Sequence, residues 1–404
     1  MKTTSLLLVI TVSVNCALAE EWNRFRGPNG SGISESAAPT SWKPGDEAWK
    51  IDLPGVGHSS PVITGDRLFI TSGIENDGSR VVFALNRHTG KEIWRETFAG
   101  SKYRKHRLNS FASSTPALDN KRLYLCWAAD GVLHTAAVTL DGQRVWEVEL
   151  GEFKAGHGYG VSPIVFKDSV IVANEHEGQS VLYALDSTNG KVVWRTNRDT
   201  RTTYTTPCIY RVEGRKPELI FTNWKHGTTA VDPLSGKTTW EIDVFDKGHF
   251  ETSIGSPIVA GGLVYATSGY LGYSTQTVAV KSDARNVGEK VFQVEKLAPL
   301  TTTPVVQGDL LFLWADDGIV SCVHSKTGEL FWKKRVGGKY YGSPVIAKDA
   351  LYCLSTEGEA VVLRTSREYE EIARNQLGDP SHSTPAIVDG TLYIRTFGSL
   401  FAVK

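Results

Sequence analysis

The sequence lacks most of the features that ordinarily name an activity. Lysine plus arginine and aspartate plus glutamate number 44 each, so no overall field draws the chain toward nucleic acid or an anionic membrane, and any charge-driven partner must use a local patch. Five cysteines in 404 residues include no adjacent pair and no C-x-x-C, which removes the zinc and dithiol motifs built on that spacing. Cys126, Cys208, Cys322 and Cys353 each lie inside an apolar stretch and are expected to be buried small hydrophobes rather than disulfide partners. There is no G-x-S-x-G, no H-E-x-x-H, no G-x-x-x-x-G-K-[ST] and no G-x-G-x-x-G after a strand. Those absences exclude the nucleophile elbow, the zincin helix and the phosphate loops. No segment approaches the roughly 20 apolar residues of a membrane-spanning helix.

The N-terminus carries Lys2, an apolar run from Leu6 to Val12, and Ala17-Leu18-Ala19 before Glu20. This is the pattern of a secretory signal occupying residues 1–19, with cleavage expected after Ala19 and a periplasmic or secreted destination. Cys16 follows Ser13-Val14-Asn15, without the small residue that a lipoprotein site places beside its cysteine, so lipid attachment is not expected. Residues 20–44 form an N-terminal extension, and the chain from residue 45 onward is repetitive.

A Ser/Thr-Pro pair recurs at Pro61, Pro116, Pro163, Pro207, Pro257, Pro304, Pro344 and Pro385, at spacings between 40 and 55 residues. Each pair opens a unit of short β-branched and aromatic runs, as in Pro61-Val62-Ile63, Arg67 to Ile70, Val81 to Leu85 and Glu92-Ile93-Trp94. Four such strands per unit, with turn residues between and no helical period, predict blades of a propeller. Between the third and fourth strands lies a turn such as Asn86-Arg87-His88-Thr89-Gly90 or Asp186-Ser187-Thr188-Asn189-Gly190. There an Asx side chain caps its own backbone and glycine takes positive φ. Four residues after the glycine comes a large ring: Trp94, Trp146, Trp194, Trp240, Phe292 and Trp332. A ring fixed at that position is expected to dock each blade on its neighbour.

The seventh unit departs, running from Thr365 to Ile372 without the glycine or the tryptophan, and its outer edge is expected to be the least regular. The eighth stops at Lys404 after its third strand, and Gly45 to Trp49 supplies the missing glycine-to-tryptophan spacing from the other end of the chain. The reading is therefore all-β: an eight-bladed propeller spanning residues 45–404, closed by an N-terminal strand that completes the last blade.

The motif A-x-[DN]-x-x-[TS]-G-x-x-x-W, seen from Ala84 through Gly90 to Trp94, resembles the repeat of the pyrroloquinoline-quinone-like superfamily. That superfamily includes quinoprotein alcohol dehydrogenases and the propeller subunit of the outer-membrane β-barrel assembly machinery. The opening Trp22-Asn23-Arg24-Phe25-Arg26-Gly27-Pro28-Asn29-Gly30 is similar to the start of a group of exported bacterial propellers of the same superfamily. The resemblance implies the fold, and implies ligand sites on the face where the segments entering the first strands meet the loops between second and third strands. It does not name a chemistry.

Assigning loops to that face gives a candidate ligand set of His157, Tyr159, Glu175, His176, Trp224, Lys225, His226, His249, Tyr270, Tyr273, Trp314, Asp316 and Tyr341. His58, Tyr204, His382, Asn76, Asp77, Asp130 and Glu357 lie at equivalent positions. Aromatic rings and imidazoles gathered on one face suit a planar ring, a sugar or an extended peptide. The histidines of blades three to five lack ligand-like spacing, so no metal is assigned. A quinone dehydrogenase of the superfamily would bring calcium, a catalytic aspartate and an adjacent-cysteine disulfide, and the adjacent cysteines are missing. A basic run, Lys102-Tyr103-Arg104-Lys105-His106-Arg107, sits in the longest connection between blades.

These features predict a non-catalytic exported scaffold that binds a protein or polysaccharide, in outer-membrane protein assembly or elsewhere in the envelope. No cofactor and no nucleic acid is expected. The alternatives are a dehydrogenase using pyrroloquinoline quinone (PQQ) and calcium, and a carbohydrate-active enzyme using Tyr159 with His176 or Tyr270 with His249.

Overall fold

Every Ser/Thr-Pro pair opens the innermost strand of a four-stranded antiparallel sheet, and eight such sheets stand around a common axis. The computed structural model describes residues 20–246, 252–270, 275–282 and 288–404. Blade 1 runs outward through Val62–Thr64, Arg67–Gly73, Arg80–Asn86 and Glu92–Phe98. The next six sheets repeat that order, and the eighth is built from Ala386–Val388, Thr391–Arg395 and Ser399–Val403 with Trp49–Asp52 as its outermost strand. Trp49 pairs antiparallel with Ala402, so the two ends of the repeat array are hydrogen-bonded in one sheet, as the spacing predicts. Among the described residues the one helical element is the 3-10 turn Pro28–Gly30, and Cys126, Cys208, Cys322 and Cys353 are buried and free.

The inner ring explains the dipeptide. Most innermost strands face the channel with no strand partner on that side, Val345–Ala347 of blade 7 and Ile63 of blade 1 being the ones the N-terminal segment pairs, and proline places no N–H there to be left unbonded. The N–H of the preceding Ser or Thr bonds instead to the hydroxyl of its counterpart in the next blade. Ser60 N donates to Thr115 Oγ1, Thr115 N to Ser162 Oγ, and Ser162 N to Thr206 Oγ1. Thr206 N donates to Ser256 Oγ, Ser256 N to Thr303 Oγ1, Thr303 N to Ser343 Oγ, and Ser343 N to Thr384 Oγ1. All seven bonds measure 2.9–3.1 Å. The circle is open at one point, because Ser60 Oγ is buried without a partner. At that seam Arg395 reaches from blade 8 to Thr71 O, Ser59 Oγ and Ser72 Oγ of blade 1.

The outer ring explains the glycine and the tryptophan together. Gly90 has φ of 69°, and a Cβ there would lie 2.5 Å from the Trp49 ring. The turn glycine is thus both a left-handed residue and the seat for the preceding blade's indole. The same ring-on-glycine contact joins Trp94 to Gly142, Trp146 to Gly190 and Trp194 to Gly236. Each indole N–H donates to a carbonyl of the turn it covers: Trp49 to Arg87 O, Trp94 to Leu140 O, Trp146 to Ser187 O, Trp194 to Pro233 O. Trp332 reaches Ser366 O, Trp240 bonds within its own blade to Glu218, and Phe292 sits against Gly328.

Blade 7 has Ala373 where the others carry the large ring, since Ala373 pairs Val362 as Trp332 pairs Cys322. There Trp42, from the N-terminal segment, is buried in the cluster against which Ala373 packs. Its backbone N–H is held by Asn375 Oδ1 at 2.9 Å.

The segment before Trp42 threads the channel. Trp22 is fully buried and forms a bridge with Ile63 in blade 1, and Asn23 O accepts from Leu118 N in blade 2. Asn29 exchanges two 2.8 Å bonds with Ile209 in blade 4, and Ile33–Ser34 adds a parallel strand to blade 7. Arg26 is at the centre. Its guanidinium donates to Thr303 O, Pro304 O and Pro344 O at 2.9–3.1 Å, so the Ser/Thr-Pro carbonyls of blades 6 and 7 share one cation.

Two outcomes test this account in urea unfolding. Ser343→Ala, which strands the buried Thr303 N–H, should cost about 1–3 kcal/mol. Ser60→Ala, which strands nothing, should stay within about 0.5 kcal/mol of the parent, and equal costs would remove the ring from the account. Arg26→Met should destabilise by about 3 kcal/mol or more, and Arg26→Lys should fail to restore it because one ammonium does not span three carbonyls.

Candidate functional site

The N-terminal segment crosses the inner strands from blade 1 to blade 7, and its Phe25 lines a central funnel. Segments entering the innermost strands and the loops between second and third strands meet at its mouth, around a cavity of about 470 Å³. The floor includes Phe25, lying between the two buried arginines Arg24 and Arg26. Above it Ser162, Thr206, Ser256, Thr303, Ser343 and Thr384 of the hydroxyl ring line the wall.

The upper wall is aromatic. His58, half-buried, lies 4.7 Å from the His382 ring and 5.2 Å from Phe397. His382 meets Tyr341 edge-on at 5.0 Å. Across the cavity His106 meets His157 edge-on at 5.1 Å, and His157 stacks on Tyr204 at 6.3 Å. Burial pushes the His58 pKa well below the usual imidazole value, with the neighbouring His382 ring and the Arg395 cation adding to the shift. Burial lowers His382 as well, and lowers His106 together with its neighbour His157. At neutral pH these three are uncharged rings.

Asp316 is the one carboxylate among the described residues that line the cavity. It accepts from Leu300 N, Thr301 N and Thr301 Oγ1 at 3.1, 3.0 and 2.5 Å. Burial raises its pKa, while these bonds act to lower it. Its oxygens are committed to shaping the turn into blade 6. Calcium requires several converging oxygens, and no group of three His, Cys, Asp or Glu side chains converges among the described residues. The described residues that line the cavity do not supply the converging oxygens of a calcium-quinone centre.

Of the face proposed from sequence, the cavity gathers His157, Tyr270, Asp316 and Tyr341, together with His58, Tyr204 and His382. The others stand elsewhere. Trp314 is fully buried and packs on Tyr340 at 5.1 Å as part of the core. Glu175 is buried in an ion pair with Arg198 at 2.9 Å. His176 is completely buried, and its Nδ1 accepts from Lys154 N and Gly178 N. Tyr159 is buried edge-on against Phe153, so Tyr159 and His176 do not face each other across the funnel. Lys225 pairs with Asp199 and His226 with Glu241 away from the cavity, and Trp224 is half-buried under Arg201. His249 and Tyr273 lie outside the described residues.

The residues missed by sequence come from the basic connection. It folds over the mouth and contributes His106, Leu108 and Asn109 to the lining. His106 N and Asn109 Nδ2 both donate to His157 O, and Leu108 O faces His382 Nδ1 at 3.4 Å. Its unusual length was the available signal. A loop longer than its counterparts in a repeat has to cover something.

The cavity histidines make stability pH-dependent. Unfolded His58 and His382 take up protons near the ordinary value of 6.5 that the folded rings refuse, so stability should fall as pH drops from 6.5 toward about 5. His58→Gln should flatten that fall when urea midpoints are measured across the range. Parallel profiles for the two proteins would exclude His58 as the cause.

The family model described as outer membrane protein assembly factor BamB matches residues 38–215, 215–334 and 274–404. BamB of Moranella endobia is 21% identical over 346 residues, covering 74% of this chain and 83% of that protein. A polyvinylalcohol dehydrogenase from a Pseudomonas species is 27% identical over 164 residues, 37% of this chain, which spans about a quarter of that enzyme (24%). Among solved structures, BamB from Moraxella catarrhalis superposes with a TM-score of 0.64 at 19% identity, over 88% of this chain and 96% of its own. The quinohemoprotein alcohol dehydrogenase of Comamonas testosteroni does so at 0.68 and 14%, over 96% and 81%. At these identities the structures establish the shared fold alone. The match across the repeats goes further: this chain belongs to the family described as outer membrane protein assembly factor BamB, a family of PQQ-like repeat propellers.

Proposed function

We propose that this chain is a non-catalytic propeller of the bacterial envelope that assists outer-membrane protein assembly by offering the funnel mouth to a polypeptide partner. The observation that carries this reading is the chemistry of the mouth. His58, His106 and His382 are held neutral, the Asp316 carboxylate is engaged by Leu300 and Thr301 of the segment entering blade 6, and what the lining offers a visitor is mainly rings and hydroxyls. Such a surface recognises by stacking and hydrogen bonding. The family match and the relatives named as assembly factors support the same direction. Tyr270, at the rim and 47% exposed, has the size and polarity of an interface anchor.

A photo-crosslinking residue at position 270, in cells expressing the protein, should trap an outer-membrane assembly component or a β-barrel precursor. The same probe at Leu234, exposed on an outer turn, should not. Equal labelling from both positions, or products of neither kind from position 270, would overturn the reading.

A further inference from the structure

Positive charge is buried around the central cavity without a carboxylate to balance it. Arg24 and Arg26 flank the floor residue Phe25, and Arg395 lies beside His58; each is at most 6% exposed. Their hydrogen bonds among the described residues go to carbonyl and hydroxyl oxygens: Arg24 to Pro207 O, Arg26 to the ring carbonyls, Arg395 to blade 1. None of the three forms an ion pair there, and Arg24 Nε, Arg24 Nη1 and Arg395 Nε are buried with no acceptor at all. Carbonyl dipoles solvate a guanidinium but leave its charge uncancelled, and the surrounding low dielectric carries that charge into the cavity. Two further cations stand at the rim. Arg107 is exposed, near Tyr341 and His106, and Lys105 is near His58, paired with Glu75 at 3.3 Å. Against them the lining offers one carboxylate, Asp316, held by Leu300 and Thr301, while Glu75 pairs with Lys105 and Glu177 acts on Tyr204 from outside the lining. In a chain with 44 charges of each sign, this is an inward sorting of positive charge.

We propose that the central cavity is an anion site that takes a carboxylate carried on an aromatic or aliphatic body. The buried guanidiniums act through their field, Arg107 meets the anion at the mouth, and the body stacks among His157, Tyr204 and Tyr341. At about 470 Å³ the space admits a ring compound or one or two side chains, not a folded element. The inference rests on the funnel-mouth reading above and narrows it, since the segment of polypeptide that enters must bring a negative end or an acidic side chain.

Calorimetry with a matched pair of probes, 2-naphthoate and the uncharged 2-naphthamide, tests this on the purified protein at low salt. The acid should bind at least ten-fold more tightly than the amide, and Arg107→Ala, at an exposed position, should cut that preference at least three-fold. Equal affinities, or no saturable binding of either probe at millimolar concentration, would overturn the proposal. A tripeptide ending in phenylalanine, as free acid and as amide, separates the sources: acid preference in the peptide assigns a polypeptide end, and preference confined to naphthoate assigns a free small acid. Crosslinking from position 270 does not depend on ligand charge. An intact crosslink with no acid preference would therefore sink the anion assignment and leave the assembly reading standing.

Discussion

The structure depends on how the innermost strands satisfy a backbone edge that, outside blade 7, no further strand covers. Eight strands line a channel, and each would present unbonded amides to it. Proline removes one donor per blade, and the residue before it sends its N–H sideways to the next blade's hydroxyl, so the bond that solves a local problem also ties neighbouring blades together. Serine and threonine are the side chains that place an acceptor oxygen one bond from Cβ, short enough to work beside a proline. The carbonyls left over point to the channel axis, where Arg26 collects three of them. Anchoring the N-terminal segment and linking blades 6 and 7 are therefore one arrangement.

At the periphery the constraint is the gap between diverging sheets. An indole fills it, its N–H is used on a turn carbonyl, and the turn glycine makes room for the ring face. The two irregular seams show the rule by substitution. Between blades 7 and 8 the repeat has Ala373, and Trp42 arrives from outside the repeat to fill the cluster. Between blades 8 and 1 the hydroxyl circle is broken at Ser60, and the bonds of Arg395 cross instead.

The fold was legible because its determinants are periodic: the Ser/Thr-Pro pairs, the Asx-to-glycine turns and the ring residues recur where the same contact recurs. The closing strand was legible too, since Gly45 to Trp49 keeps the spacing of the blade it completes. The N-terminal segment was not. Trp22 to Gly30 could be matched to a family opening, but its bonds run to residues about 40 to 320 positions away, and no local pattern encodes such distances. The candidate face was half legible for a different reason. A loop's place in the repeat assigns it to an end of the propeller, whereas the direction of each side chain decides whether it reaches the funnel. Tyr341 does and Trp314 does not. Glu175 reads as a solvent-facing acid until its partner Arg198, on the outermost strand of the same blade, is seen beside it.

Neutral composition also hid the charge distribution. On the outer strands arginines meet carboxylates in exposed groups, as where Arg374 meets Glu359 and Glu371, and Arg364 meets Asp349 and Glu370. Those pairs lie in water and are screened by salt. The arginines within the ring have no such partners, because a carboxylate there would compete for the guanidinium that binds the blade carbonyls together. Holding the ring with a cation rather than a cation-carboxylate pair leaves a residual positive field, and the opening of the channel is where that field meets solvent. The device that closes the propeller thus also biases what its mouth attracts, so architecture and recognition share the same three side chains.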